Sequence, residues 1–131
     1  MKLDKIYVLA INIDQNKIDS IVSRLKELGT VNVPYEIVTG FNGYLESIPE
    51  GMSTYDNWAI PDSWNQWWRN RMHSGEIGCS IAHHLLWKKI KSEGFKRVLI
   101  LEEDFKVLKN VNEIKEAELE LVEWDMLYLG R

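Results

Sequence analysis

The stretch VLILEEDF, Val98 to Phe105, ends an apolar run in three adjacent carboxylates, Glu102, Glu103 and Asp104. Val, Leu and Ile suit a strand covered on both faces, whereas neighbouring acids repel one another, so something must offset their charge. A divalent cation is the strongest candidate, because a bound ion is the largest charge in any site it occupies. In an extended segment residues i and i+2 point the same way, which predicts that Glu102 and Asp104 face one ligand together while Glu103 faces elsewhere. Two hard oxygen ligands with open positions suit Mg²⁺ or Mn²⁺ bridged to a diphosphate. The competing reading is a solvated strand-to-loop junction that carries surface acids.

A second group of reactive residue types lies in SGEIGCSIAHHLLWKKI, Ser74 to Ile90. Cys79, His83 and Trp87 are spaced by four and share one stripe of a helix. Zinc would need further Cys or His ligands. His73 and His84 are close in sequence, but with a single cysteine in the chain the spacing argues against such a site. Cys79 can simply pack inside, and His83 can either join it, hydrogen-bond a ligand or orient the acidic loop. Gly75 and Glu76 open the helix, where free backbone N–H groups suit a ribose hydroxyl or a phosphate. Glu76 would complement the helix dipole there without any ligand. Lys88, Lys89 and Lys91 read as a solvated helix face.

These groups need elements to position them. KIYVLAINI, Lys5 to Ile13, is continuously apolar and β-branched, the pattern of a strand buried on both faces. Asp14 can cap a helix whose Ile18, Ile21, Val22, Leu25 and Leu28 recur at helical spacing, with Gly29 closing it. YEIVTG is a second strand entering the turn GFNG, so strand, helix and strand form a βαβ unit with parallel strands. Residues 43–72 lose periodicity, contain the turn signals IPEG and IPDS, and hold four of the six tryptophans, Trp58, Trp64, Trp67 and Trp68. An irregular insertion of this length is functional or disordered, and its aromatic content argues for order. It can stack on sugar rings or cover a sheet edge; Arg69 and Arg71 beside it can meet a diphosphate or remain surface charge. In the helix that follows, Ile77, Ile81 and Leu85 form one apolar row and Ala82, Leu86 and Ile90 the next. RVLIL is the third strand, NVNEIKEAELELV is helix-prone, and WDMLYLG reads as a last strand. The expected fold class is α/β, one domain over residues 1–131 with an open, mostly parallel sheet whose ligands bind beyond the carboxyl ends of the strands. Ile11, Asn12 and Asp14 stand at one such end and Glu102 to Asp104 at another.

Size and charge narrow the classes. A chain of 131 residues with 45% hydrophobic residues and a mean hydropathy of -0.28 is an ordinary globular domain. Sixteen basic against twenty acidic residues give -4, so no overall field attracts nucleic acid, although a metal can still bring a polyanion to a local site. One cysteine forms no internal disulfide and fits a reducing compartment. No apolar run approaches the ~20 residues of a membrane span, and the N-terminal apolar run reads as a strand rather than a signal peptide. A cytoplasmic location is expected.

Taken in order, SGEIGCSIAHHLLWKKI, VLILEEDF and WDMLYLG resemble the Gly-Glu-x-x-Cys-x-x-Ser-His-x-x-x-Trp helix, the Leu-Glu-Asp-Asp strand end and the following strand of glycosyltransferase family 25. That family includes bacterial lipopolysaccharide galactosyltransferases and collagen galactosyltransferases. IYVLAINID and VTGFNG are similar to its first strand and second-strand turn. The resemblance implies a GT-A-type, Rossmann-like fold in which the acidic motif holds Mn²⁺ or Mg²⁺ against the diphosphate of a UDP-sugar. It implies transfer of the sugar, with inversion, to a hydroxyl acceptor such as a glycan or lipopolysaccharide.

Carried over by position, Glu102, Glu103 and Asp104 match the acidic motif, and Gly75, Glu76, Cys79, His83 and Trp87 match the helix. The metal candidates are Glu102 and Asp104. The catalytic candidates are Glu103 and Asp104, with Glu103 or Asp125 as base on chemistry alone. The substrate-binding candidates are Ile11, Asn12, Asp14, Gly75, Glu76, Cys79, His83 and Glu102. Three departures stand out: Glu103 replaces the family's Asp, Ala82 replaces its Ser, and Gln15-Asn16-Lys17 stands where an Arg is common. Family members also continue past the strand resembling WDMLYLG into an acceptor-shaping region, which predicts donor binding with slow hydrolysis, or binding alone, rather than efficient transfer. A phospho-acceptor signalling domain would want an acidic pair after the first strand, where only Asp14 stands.

Overall fold

The computed structural model describes residues 3–54, 59–66, 71–111 and 125–127. Five elements follow in chain order: β1 (Lys5–Ala10), α1 (Gln15–Glu27), β2 (Tyr35–Thr39), α2 (Ser74–Glu93) and β3 (Val98–Glu102). The three strands form one parallel sheet in the order β2-β1-β3. The α/β, Rossmann-like class expected from the sequence is what the chain adopts.

The continuous apolar run of β1 is explained by its central place. Ile6, Val8 and Ala10 point to one face and pack with Ile21 and Leu25 of α1. Tyr7 and Leu9 point to the other face and pack with Ala82 and Leu86 of α2. Ile6, Tyr7, Val8, Ile21 and Leu86 are fully buried; each such side chain contributes about 1.5–3 kcal/mol relative to exposure. α1 is capped by Asp14, whose carboxylate accepts from the Lys17 N–H at 2.8 Å. Of the apolar rows expected on α2, Ile81, Ala82 and Leu86 are buried, but Leu85 is 44% exposed.

Register sets the site. Leu9 pairs with Glu102 and Ala10 with Thr39, so all three strands end nearly level. With α1 on one face and α2 on the other, β1 is where the strand order reverses, the place where a crevice opens beyond the carboxyl ends of such a sheet. At the opposite end Tyr7, Lys5, Glu36, Lys89 and Glu93 form a polar cluster. The Tyr7 hydroxyl donates to Glu93, and Lys5 lies 2.6 Å from Glu36 and 3.2 Å from Glu93. Lys89 lies 3.2 Å from Glu36 and 2.8 Å from Glu93.

The expected helix NVNEIKEAELELV lies outside the described residues beyond Val111, as does the last strand except for Asp125, Met126 and Leu127, which have no strand geometry. Trp58, Trp67, Trp68 and Arg69 also lie outside them. Trp64 is 90% exposed and Arg71 is exposed. Among the described residues no helix is long and apolar enough to cross a membrane.

Candidate functional site at the strand ends

A cleft of about 280 Å³ opens beyond the carboxyl ends of the strands. Its walls come from four places: Leu9 to Ile11 after β1, Gly40 to Tyr44 after β2, the first turns of α2 (Gly75, Cys79, Ala82, His83), and Glu102 to Asp104 after β3. The volume is near the small end of the ~300–1,000 Å³ typical of small-molecule clefts.

Two glycines bring these walls together. A methyl placed on Gly78 would sit 2.7 Å from the Phe41 carbonyl and 2.8 Å from the Gly43 N–H nitrogen, and one on Gly43 would overlap the Ser74 carbonyl. The β2–α2 loop therefore packs backbone against backbone on the first turns of α2, which fixes Gly75, Cys79 and His83 opposite the acids. Tyr44, 76% exposed, leans over Gly75 at the rim.

The extended segment ends within the acidic triplet. β3 ends at Glu102. The Phe105 N–H then donates to the Glu102 carbonyl at 3.0 Å, closing a turn. Arg24 of α1 holds that turn from beneath, donating to the Glu103 and Phe105 carbonyls at 2.7 Å each while its guanidinium lies 4.6 Å from the centre of the Phe105 ring. Strand geometry ends at Glu102, and Glu102 and Glu103 turn to opposite sides.

Glu102 turns toward α2. Its Oε1 lies 3.1 Å from His83 Nε2 and 3.5 Å from Cys79 Sγ. His83 is thus in contact with the acidic loop. Trp87, one turn further on, stands 6.1 Å from the His83 ring, centre to centre. Desolvation, and then the adjacent Glu102 carboxylate, push the Cys79 thiol above its ordinary pKa. Both contacts to Glu102 fall on Oε1, so Oε2 has no partner among the described residues. Glu103 turns toward β1, where it accepts from the Ile11 N–H at 3.1 Å and pairs with Lys17 at 2.7 Å. Lys17 also donates to the Ile11 carbonyl. Asp104 is exposed and makes no hydrogen bond or ion pair among the described residues.

Of the sequence candidates, Ile11, Gly75, Cys79, His83, Glu102, Glu103 and Asp104 therefore line one cleft. Asn12, Asp14 and Glu76 do not. Asn12 is exposed in a left-handed conformation (φ 50°), which Asn tolerates and which turns the chain away after β1. Asp14 is used as the cap of α1. Glu76 reaches back to the His73 N–H at 2.7 Å, completing one half of a capping box. Asp125 is exposed and is not part of the cleft lining. Lys17, Arg24, Gly43 and Gly78 were not among the candidates. Lys17 had a signal, as the cation of the Gln15-Asn16-Lys17 segment; the others act through carbonyls or through absent side chains.

Glu102 and Asp104 both line the cleft, and carboxylate oxygens are the ligand type that a hard divalent ion takes. Asp104 and Glu102 Oε2 are carboxylate oxygens on one cleft, and their charge is not offset by the Lys17–Glu103 pair.

A family model described as glycosyltransferase family 25 (LPS biosynthesis protein) matches residues 3–130. The chain belongs to glycosyltransferase family 25. It is 34% identical over 62 residues to the human protein named inactive glycosyltransferase 25 family member 3, covering 44% of this chain and 10% of that one. It is 32% identical over 62 residues to procollagen galactosyltransferase 1 of Danio rerio, with the same shares of 44% and 10%. Against human procollagen galactosyltransferase 2 it is 31% identical over 65 residues, again 44% and 10%. The matched stretch spans about a tenth of the length of these curated relatives. No solved structure matches the chain.

Proposed function

We propose that the cleft binds the nucleotide-diphosphate end of a UDP-sugar, UDP-galactose or UDP-glucose, for transfer of the sugar to a hydroxyl acceptor with inversion. One observation carries it: Glu102 and Asp104 add negative charge to a small cleft at the reversal point of a parallel sheet, beside the N-terminus of α2. Glu102 Oε2 and Asp104 would hold Mn²⁺ or Mg²⁺. The ion, when bound, neutralises the diphosphate that departs with the nucleotide. His83 fixes the direction of Glu102, Lys17 and Arg24 fix the turn, and the exposed N–H groups around Gly75 would donate to an anionic oxygen. Membership of a family whose relatives include procollagen galactosyltransferases supports the choice of donor.

A second reading, capture of the nucleotide-sugar without efficient transfer, is favoured by two observations. The human relative at 34% identity is named inactive. Glu103, the base proposed on chemistry, is bound to Lys17 and the Ile11 N–H.

Calorimetric titration of UDP-galactose and UDP-glucose with Mn²⁺, and again with chelator, tests the binding. Affinity is expected only with the ion, and Asp104→Asn is expected to abolish it; equal affinity in chelator would remove the metal from the mechanism. UDP release over time beside a glycan acceptor array separates the two readings. Transfer to an acceptor selects the enzyme, and binding without UDP release selects the capture module.

A further inference from the structure

We propose that Cys79, His83 and Glu102 form a three-ligand site for a borderline divalent cation of the zinc class, with its remaining position open to the cleft. Three donor types converge from two elements. The thiol and imidazole stand one helical turn apart on α2, and the carboxylate comes from the end of β3. Their ligand atoms all lie within 4.8 Å of one another.

The spacing fits the ion. Tetrahedral zinc, with bonds of about 2.3 Å to sulfur and about 2.0–2.2 Å to nitrogen and oxygen, sets its ligand atoms roughly 3.4–3.6 Å apart. Glu102 Oε1 lies 3.5 Å from Cys79 Sγ and 3.1 Å from His83 Nε2. Small side-chain movements would complete the geometry. Strand alternation makes this set: Val98 and Ile100 pack on the α2 side of the sheet, and Glu102, at the end of the same row, meets Cys79 and His83.

Ligand type then decides selectivity. Thiolate and imidazole suit Zn²⁺ and Co²⁺, whereas Mg²⁺ and Mn²⁺ are served by oxygen. Three protein ligands with one exchangeable position is the pattern of an open rather than a structural zinc site. Binding takes the proton from the Cys79 thiol and releases it to solvent. Glu102 belongs both to this set and to the oxygen pair with Asp104, so zinc and manganese compete through one side chain. The site itself does not depend on nucleotide-sugar binding and is tested without nucleotide.

Co²⁺ is titrated into the 131-residue chain while absorbance is followed, and Zn²⁺ affinity is measured by calorimetry with proton release. A near-ultraviolet thiolate-to-cobalt charge-transfer band is expected, bleached by added Zn²⁺. Cys79→Ser should remove the band and weaken Zn²⁺ binding by at least about tenfold, since even outer-shell partners are worth about 10–100-fold. His83→Gln and Glu102→Gln should weaken Zn²⁺ comparably while the thiolate band survives at higher Co²⁺. His84→Gln, at an exposed position on another stripe, should change neither. Co²⁺ binding without a thiolate band, or Zn²⁺ affinity unmoved by Cys79→Ser and His83→Gln, would overturn the assignment. Loss of UDP-sugar binding would leave it standing.

Discussion

At the amino end of the sheet, Lys5 and Lys89 meet Glu36 and Glu93, two cations against two anions within 3.2 Å. At the carboxyl end, Glu103 is matched by Lys17, Glu102 leans on a histidine, and Asp104 has no partner among the described residues. Both clusters draw on α2, the first together with β1 and β2, the second with the end of β3 and with α1. The first is closed: Lys89 and then the Tyr7 hydroxyl hold the Glu93 carboxyl down to about 2, and burial followed by Glu93 pushes the Tyr7 hydroxyl up. The second is closed only at its base, where Lys17 and Arg24 secure the turn, and is left negative where it meets the cleft. A cluster of the first kind locks helix to sheet; one of the second kind keeps unmatched negative charge facing the cleft.

The largest expected effect breaks the carboxyl end by packing alone. Gly78→Ala places a methyl 2.7 Å from the Phe41 carbonyl, and forcing atoms into a filled contact costs about 1–3 kcal/mol. Denaturant unfolding should show that loss together with loss of UDP-sugar binding. Unchanged stability would mean that the loop and helix can separate freely.

A smaller effect tests the amino end by pH. Glu93 binds its proton more weakly in the folded chain, about 2, than at its ordinary 4.5. Its stabilisation is therefore present above pH 4.5 and is lost as pH falls from there toward 2. The melting temperature of the native chain should drop through this window more steeply than that of Glu93→Gln. Parallel curves would show that the cluster does not lock the helix.

The smallest effect on stability sharpens the contrast inside the acidic triplet. Glu103→Gln should cost about 0.5 kcal/mol, the usual scale for a partly exposed ion pair, and leave metal affinity within a few-fold. Glu102→Gln and Asp104→Asn should leave the melting temperature unchanged or raise it, because like charges are removed, while metal affinity falls. If Glu103→Gln lost metal affinity as strongly as Glu102→Gln, the division of labour would be wrong.

These differences bear on what a sequence discloses. The central, two-faced burial of β1 was legible because a covered strand must be apolar at every position. The cleft was legible as a place, since parallel sheets bind beyond their carboxyl ends. The partners of each acid were not. Alternation applies only while the chain stays extended, and hydrogen bonds to carbonyls from Arg24, seventy-nine residues before Glu103, end the extension. The Arg24 role leaves no local mark, because a carbonyl contact asks nothing of the side chain it meets. Gly78 was equally silent: its contribution is a missing methyl against a loop thirty-five residues earlier at Gly43.

The 20 residues of α2 make a rod about 30 Å long. Its far end is pinned by Lys89 and Glu93, and its near end carries Cys79 and His83. It is therefore a lever with its pivot at the amino end of the sheet. Tilting it by about 5° would carry Cys79 roughly 1.5 Å at 1.5 Å of rise per residue. The backbone contact at Gly43 and Gly78 and the burial of Ala82 and Leu86 against Tyr7 and Leu9 oppose that tilt, so the spacing of the three donors is set by packing along the whole rod.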